Sequence, residues 1–228
     1  MHAWSVGAVT GINTCLSVMA GVLGIEVEPQ GVTRGRTRCF QLMVGLRNGK
    51  TSQQTPTVGF VANPRKGNVM PESVQEAVRM HLDHGRACLN EDKYDDAIAC
   101  CDKAIAHDPD EATAYALRGS AYLHKGEFDR AIFDCSGAIV LRPDDVVAYA
   151  ARGCAYLEKG DVDRAIDDFD LAIELNPKWT KTYALLRGCA YNGKGEVDRA
   201  IADFRKVLEI DPSDQDAKDN LRRMGVMP

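Results

Sequence analysis

Tyr149 to Pro177, YAARGCAYLEKGDVDRAIDDFDLAIELNP, is the stretch that decides the fold. Its apolar residues recur at helical spacing on either side of a break: Tyr149 and Tyr156 precede Lys159-Gly160-Asp161, and Ala165, Ile166, Phe169, Ala172 and Ile173 follow it. Two amphipathic helices joined by a tight turn are therefore expected. Gly160 ends the first helix because a residue without Cβ enters the left-handed conformation freely, and Asn176-Pro177 closes the second. The short turn makes the two helices antiparallel.

The stretch is one of four. Gly85, Gly119, Gly153 and Gly188 are each followed by Ala97, Ala131, Ala165 and Ala200, and then by Pro109, Pro143, Pro177 and Pro212, in steps of 34, 34 and 35 residues. Such a period means one helix pair stacked on copies of itself. The glycine and alanine have a steric reason, since helices approach to about 8–10 Å only where side chains at the crossing are small.

Tyr149, Gly153, Tyr156, Ala165, Phe169, Ala172 and Pro177 occupy the aromatic, glycine, aromatic, alanine, aromatic, alanine and proline positions of a known motif. The pattern resembles the tetratricopeptide repeat over about residues 74–212. The resemblance implies an all-α fold: a right-handed superhelical solenoid of four antiparallel helix pairs, at 71–111, 112–145, 146–179 and 180–212. A capping helix and tail follow at 213–228, and a poorly structured leader precedes at 1–70. The first repeat departs most, with His81, Cys88 and Cys101 for the three aromatics. Ser73 and Glu76 have the spacing of a capping box that starts a helix over Val74 to Leu89.

The resemblance also implies a concave groove lined by the first helix of each repeat, suited to an extended peptide or a partner helix. The inward positions are Arg79, Leu82, Arg86 and Leu89, then Thr113, Ala116, Ser120 and Leu123. They continue with Val147, Ala150, Cys154 and Leu157, and end with Thr182, Leu185, Cys189 and Asn192. This lining is mostly small and apolar, with Arg79 and Arg86 giving an acidic contact at one end. Members that hold a chaperone's acidic C-terminal tail use two lysines, two asparagines and an arginine; Leu82, Arg86, Leu117, Val147 and Ala151 stand there instead, which disfavours such tails. The expected function is a non-enzymatic scaffold or adaptor binding another protein.

Charge divides the chain. Residues 1–70 carry seven Lys/Arg against two Asp/Glu, and residues 71–228 carry 21 against 31. An acidic array with no basic stripe argues against nucleic acid. Of the eight cysteines, Cys154 matches Cys189, Cys101 matches Cys135, and Cys88 replaces a repeat tyrosine, so they read as packing residues. No Cys-x-x-Cys spacing occurs, and neither a metal, another cofactor nor a disulfide framework is expected. A reducing, cytoplasmic setting fits.

Residues 3–25 contain one acid-free, base-free run long enough for a membrane span, diluted by four glycines. They supply the competing reading, an assembly factor tethered to a membrane or exported. Cys39 to Leu46 with Asn48-Gly49 is half a hairpin at most, Asn63 to Gly67 reads as linker, and Met70 before the first repeat is an alternative start. Gly45-x-x-x-Gly49-Lys50-Thr51 is one residue short of a phosphate-binding loop. His81 and His84 share a helix at i, i+3 and read as packing histidines. No catalytic constellation is present among interchangeable repeats.

Two departures from the period stand out. Arginine before the glycine is matched by aspartate sixteen residues later, as Arg118 with Asp134, Arg152 with Asp168 and Arg187 with Asp203, whereas the first repeat has His84 and Cys100. An Arg-Asp bridge across each helix pair is expected. The fourth repeat holds one extra residue between Tyr183 and Gly188, near Leu185-Leu186, which predicts a π-bulge or a displaced helix start.

Overall fold

The computed structural model describes residues 71–227. Four helix pairs follow one another: α1 (Glu72–Asn90) with α2 (Tyr94–His107), α3 (Ala112–His124) with α4 (Phe128–Leu141), α5 (Val146–Lys159) with α6 (Val162–Leu175), and α7 (Thr180–Lys194) with α8 (Val197–Ile210). A shorter helix, α9 (Gln215–Arg223), closes the array. Each helix packs on the next, and α1 reaches α3 as α3 reaches α5, which makes the chain a solenoid of stacked hairpins. The expected leader features, including the 3–25 run, the half-hairpin, the phosphate-loop-like stretch and Met70, lie outside the described residues. Among the described residues no helix is long and apolar enough to cross a membrane.

Close approach explains the glycines of the later repeats. A Cβ on Gly153 would lie 2.9 Å from Phe169 Cε1, on Gly188 2.8 Å from Phe204 Cε1, and on Gly119 2.6 Å from Cys135 Sγ. The partner alanines Ala131, Ala165 and Ala200 are fully buried, as are Phe169 and Phe204. Helix ends obey the expected turn chemistry. Gly160 and Gly195 take φ of 81° and 85°, and the amides of Gly160 and Asp161 close the last turn of α5 on Leu157 and Tyr156. Asp145 and Asp214 cap α5 and α9 by accepting from Ala148 N at 3.1 Å and Ala217 N at 2.9 Å.

One local expectation is corrected and one open alternative is decided. The Ser73–Glu76 capping box does not form, because α1 begins at Glu72 with Pro71 as its N-cap. The proline ring fixes φ at −54°, and its carbonyl already accepts from Val74 N at 2.9 Å, so Ser73 falls inside the first turn. Of the two forms expected for the extra residue of the fourth repeat, the displaced helix start is the one adopted and no π-bulge forms. Helix α7 is regular and 15 residues long against 14 in α5, and a 3-10 turn over Pro177–Trp179 leads into it. Thr180 Oγ1 donates to Pro177 O at 2.7 Å across that junction.

Lengthening the helix ahead of Gly188 rotates Tyr183 by about 100° from the place of Tyr115 and Tyr149, since one helical residue turns the helix by that angle. Tyr115 and Tyr149 lie half-buried beside their arginines, whereas Tyr183 is fully buried and its hydroxyl has no hydrogen-bond partner among the described residues. Burial pushes the Tyr183 phenol above its ordinary range.

Candidate interaction surface and the arginine network

The sixteen inward positions separate by burial. Arg79, Arg86 and Asn192 are exposed; Leu82, Thr113, Val147, Leu157, Thr182 and Cys189 are half-buried. Leu89, Ala116, Ser120, Leu123, Ala150, Cys154 and Leu185 are buried, so they pack between helices and offer no surface. Ser120 shows why: its hydroxyl is turned inward and donates to Ala116 O at 2.9 Å, while Ala116, Ala150 and Cys154 belong to one apolar cluster that spans neighbouring repeats. Thr113 is engaged by Arg142 Nη2 at 3.2 Å.

What remains open along the first helices is a sparse apolar line, Leu82, Val147 and Leu157, with the two arginines of α1 at one end. Among the described residues neither Arg79 nor Arg86 has an ion-pair partner. Every arginine at the repeat's bridging position, by contrast, is paired.

Those bridging arginines form the same small network in each of the three later repeats. Arg118 donates from Nε and Nη2 to both oxygens of Asp134, at 2.7 and 2.8 Å; Arg152 does the same to Asp168 at 2.9 and 2.8 Å, and Arg187 to Asp203 at 2.9 and 2.6 Å. The third nitrogen of each fork reaches back to the preceding repeat: Arg118 to Asp102 at 2.6 Å, Arg152 to Ser136 at 3.2 Å, and Arg187 to Asp170. One side chain thus ties a hairpin internally and fastens it to its neighbour, a use of the planar fork that lysine does not match. Tyrosine faces complete the sites, with Arg118 5.5 Å from the Tyr115 ring centre and Arg152 5.6 Å from that of Tyr149.

Asp134, Asp168 and Asp203 are buried. Desolvation drives the Asp134 and Asp168 carboxyls up, opposed by the hydrogen bonds and charge of the arginine each one holds. These groups are saturated by one another, so the network is structural. A second ladder runs along the turns: Lys125 pairs with Asp95 at 2.6 Å, Lys159 with Asp129, and Lys194 with Asp163 at 2.7 Å.

The first repeat lacks the network. Where the second repeat has Arg118, Tyr122 and Asp134 the first has His84, Cys88 and Cys100, and the structure brings the donor atoms of these three together. Spacing rules built on Cys-x-x-Cys pass over this set, because its members come from two helices. Its signal in the sequence was the joint loss of Arg, Tyr and Asp at positions that are neighbours in every other repeat.

Family models of the tetratricopeptide repeat match residues 82–146, 146–178 and 182–214. No curated protein matches the chain in sequence. Among solved structures, the Arabidopsis OM64 TPR domain is similar at 28% identity and a TM-score of 0.50, over 52% of this chain and 98% of that one. Two structures of MamA are similar with a TM-score of 0.53. One is 32% identical over 58% of this chain and 77% of that one; the other is 27% identical over 68% and 81%.

Proposed function

The chain belongs to the tetratricopeptide repeat family, and on that premise we propose that it is a non-enzymatic adaptor that holds a peptide or helix along its concave face. The observation that carries this reading is that Arg79 and Arg86, beside the half-buried Leu82, have no ion-pair partner among the described residues, in an array where the bridging arginines are all spoken for. A cation kept without a partner at the end of an apolar line suits a ligand that inserts apolar side chains and presents a carboxylate at one end. Val147 and Leu157 extend the line, and the exposed Asn192 supplies a polar contact at the far end.

An acidic chaperone tail fits less well. Two of the five positions that such a clamp would need are Leu117 and Ala151, exposed by 1% and 0%, so they have no side chain to offer a carboxylate.

A displayed random-peptide library selected on the full chain tests the reading. Apolar peptides with an acidic end should be enriched, and Arg79→Glu/Arg86→Glu, which alters only exposed side chains, should reduce that enrichment at least about tenfold, the factor that 1.4 kcal/mol represents. Enrichment of the same peptides by both proteins would overturn it.

A further inference from the structure

We propose that the first repeat carries a metal site built from His84, Cys88 and Cys100, for a thiophilic cation of the Zn2+ type. The fold itself explains why these three meet. In the second, third and fourth repeats the same positions hold Arg118, Tyr122 and Asp134; Arg152, Tyr156 and Asp168; and Arg187, Tyr191 and Asp203. There the arginine grips the aspartate, and in the last two repeats it also lies 5.9 Å from the ring centre of the tyrosine. Two positions on the first helix and one on the second therefore converge in the third and fourth hairpins.

In the first repeat all three are replaced at once, and each replacement supplies a metal donor. Random loss of an ion pair has no reason to leave one imidazole and two thiols. The imidazole nitrogen and the two sulfurs lie within 4.8 Å of one another. Bond lengths of about 2.3 Å to sulfur and 2.1 Å to nitrogen place two ligands of a tetrahedral ion roughly 3.5–4 Å apart, so the set closes on an ion by small side-chain rotations. The crossing is also less tight here than in the later repeats: a Cβ built on Gly85 would stand in ordinary contact, 3.5 Å from Cys100 Cβ.

Access is also present. Cys88 and Cys100 are 5% and 6% exposed, His84 is exposed, and an open depression of about 400 Å³ reaches two of the three, His84 and Cys100, with Met80, His81, Asp96 and Lys103 at its border. A water entering through this opening completes four-fold coordination. Three protein ligands and an open fourth position characterise an exchangeable site more than a closed structural one. Two thiolates with an imidazole favour zinc or copper(I) over magnesium or calcium, whose preferred ligands are oxygens.

The test titrates the full chain, kept reduced with a thiol-free phosphine, with Co2+ and then Zn2+. One equivalent of cobalt should produce the intense visible bands of a tetrahedral thiolate complex, and one equivalent of zinc should remove them. Cys88→Ser and Cys100→Ser should each abolish the bands and weaken zinc more than about 100-fold, beyond the loss expected from an outer-shell change. The leader also contains His2, Cys15 and Cys39, so Cys15→Ser/Cys39→Ser must leave the bands intact.

Should the single variants fold poorly, His84→Arg/Cys88→Tyr/Cys100→Asp decides the matter, because it writes the network of the later repeats into the first. That variant should retain helical circular dichroism and bind no cobalt. Bands absent from the parent protein, bands that survive in the triple variant, bands lost with the leader cysteines, or a Cys88–Cys100 disulfide that resists the reductant would each overturn the proposal.

Discussion

The first repeat and the three that follow share a backbone and differ in what holds it together. Repeats two to four are locked by buried bidentate Arg-Asp pairs and by glycines pressed against Cys135, Phe169 or Phe204. The first has no such pair, its glycine has ordinary clearance, and its turn uses Asp92 at φ 56° where the others use glycine. A helical hairpin therefore needs the small-residue crossing to form, but it does not need the ion pair. The pair adds rigidity and attachment to the preceding unit, and a repeat with only one neighbour inside the array is where its three positions are free for other chemistry.

The largest expected contrast comes from removing the acidic partner. Asp168→Ala strands the Arg152 guanidinium, whose side chain is 19% exposed, and should cost about 3 kcal/mol, at the lower end for a broken buried pair because solvent screens part of the charge. Cys100→Ala in the metal-free protein strands nothing and should cost about 1 kcal/mol or less. Urea unfolding of both variants measures the difference, and equal losses would erase the distinction between the regions.

Gly153→Ala should destabilise by about 1–3 kcal/mol, because its Cβ meets Phe169 at 2.9 Å in a filled core. Gly85→Ala meets nothing closer than 3.5 Å and should be neutral, or stabilising by up to about 1 kcal/mol through helix propensity. Opposite signs in thermal melts would sharpen the comparison; a shared sign would blunt it.

The junction between the two regions should be acid-sensitive. His124 stacks on Tyr94 of the first repeat with ring centres 5.0 Å apart, and burial holds its imidazole at about 4, below the ordinary 6.5, against the opposing pull of Asp92. Because the folded state favours the neutral ring, its contribution is complete above pH 6.5 and is lost as the pH falls through about 4. His124→Phe keeps a ring on Tyr94 without the titration, so its melting temperature should fall less than that of the parent between pH 6.5 and 4. Parallel profiles would remove His124 as the cause.

The smallest effect belongs to the turn. Asp92→Gly relieves a left-handed backbone at the cost of the exposed 2.6 Å hydrogen bond from Tyr94, and should gain about 0.5 kcal/mol in the same melts. Asp92 is the one non-glycine residue with positive φ among those described.

Much of this was legible in one dimension because it repeats. The Gly-Ala-Pro period marks the hairpins, and the Arg-Asp covariation names partners sixteen residues apart without any coordinates. Features read from a single site fared differently. Ser73 and Glu76 have capping-box spacing, yet Pro71 starts the helix first. The extra residue near Leu185 was visible, but its result, a tyrosine turned into the core, depends on where the 3-10 turn lets α7 begin. Ser120, Ala150 and Cys154 carry a groove position in the motif and lie inside the stack, because neighbouring helices approach closely enough to cover such small residues.

By itself the sequence determined the number of hairpins, their antiparallel sense and the residues that set their spacing, since each is encoded locally and confirmed by its copies along the chain. Only the tertiary structure decided which inward positions keep a surface and that His84, Cys88 and Cys100 share a point in space. Burial and convergence belong to contacts between helices, and those distances are set when the repeats stack.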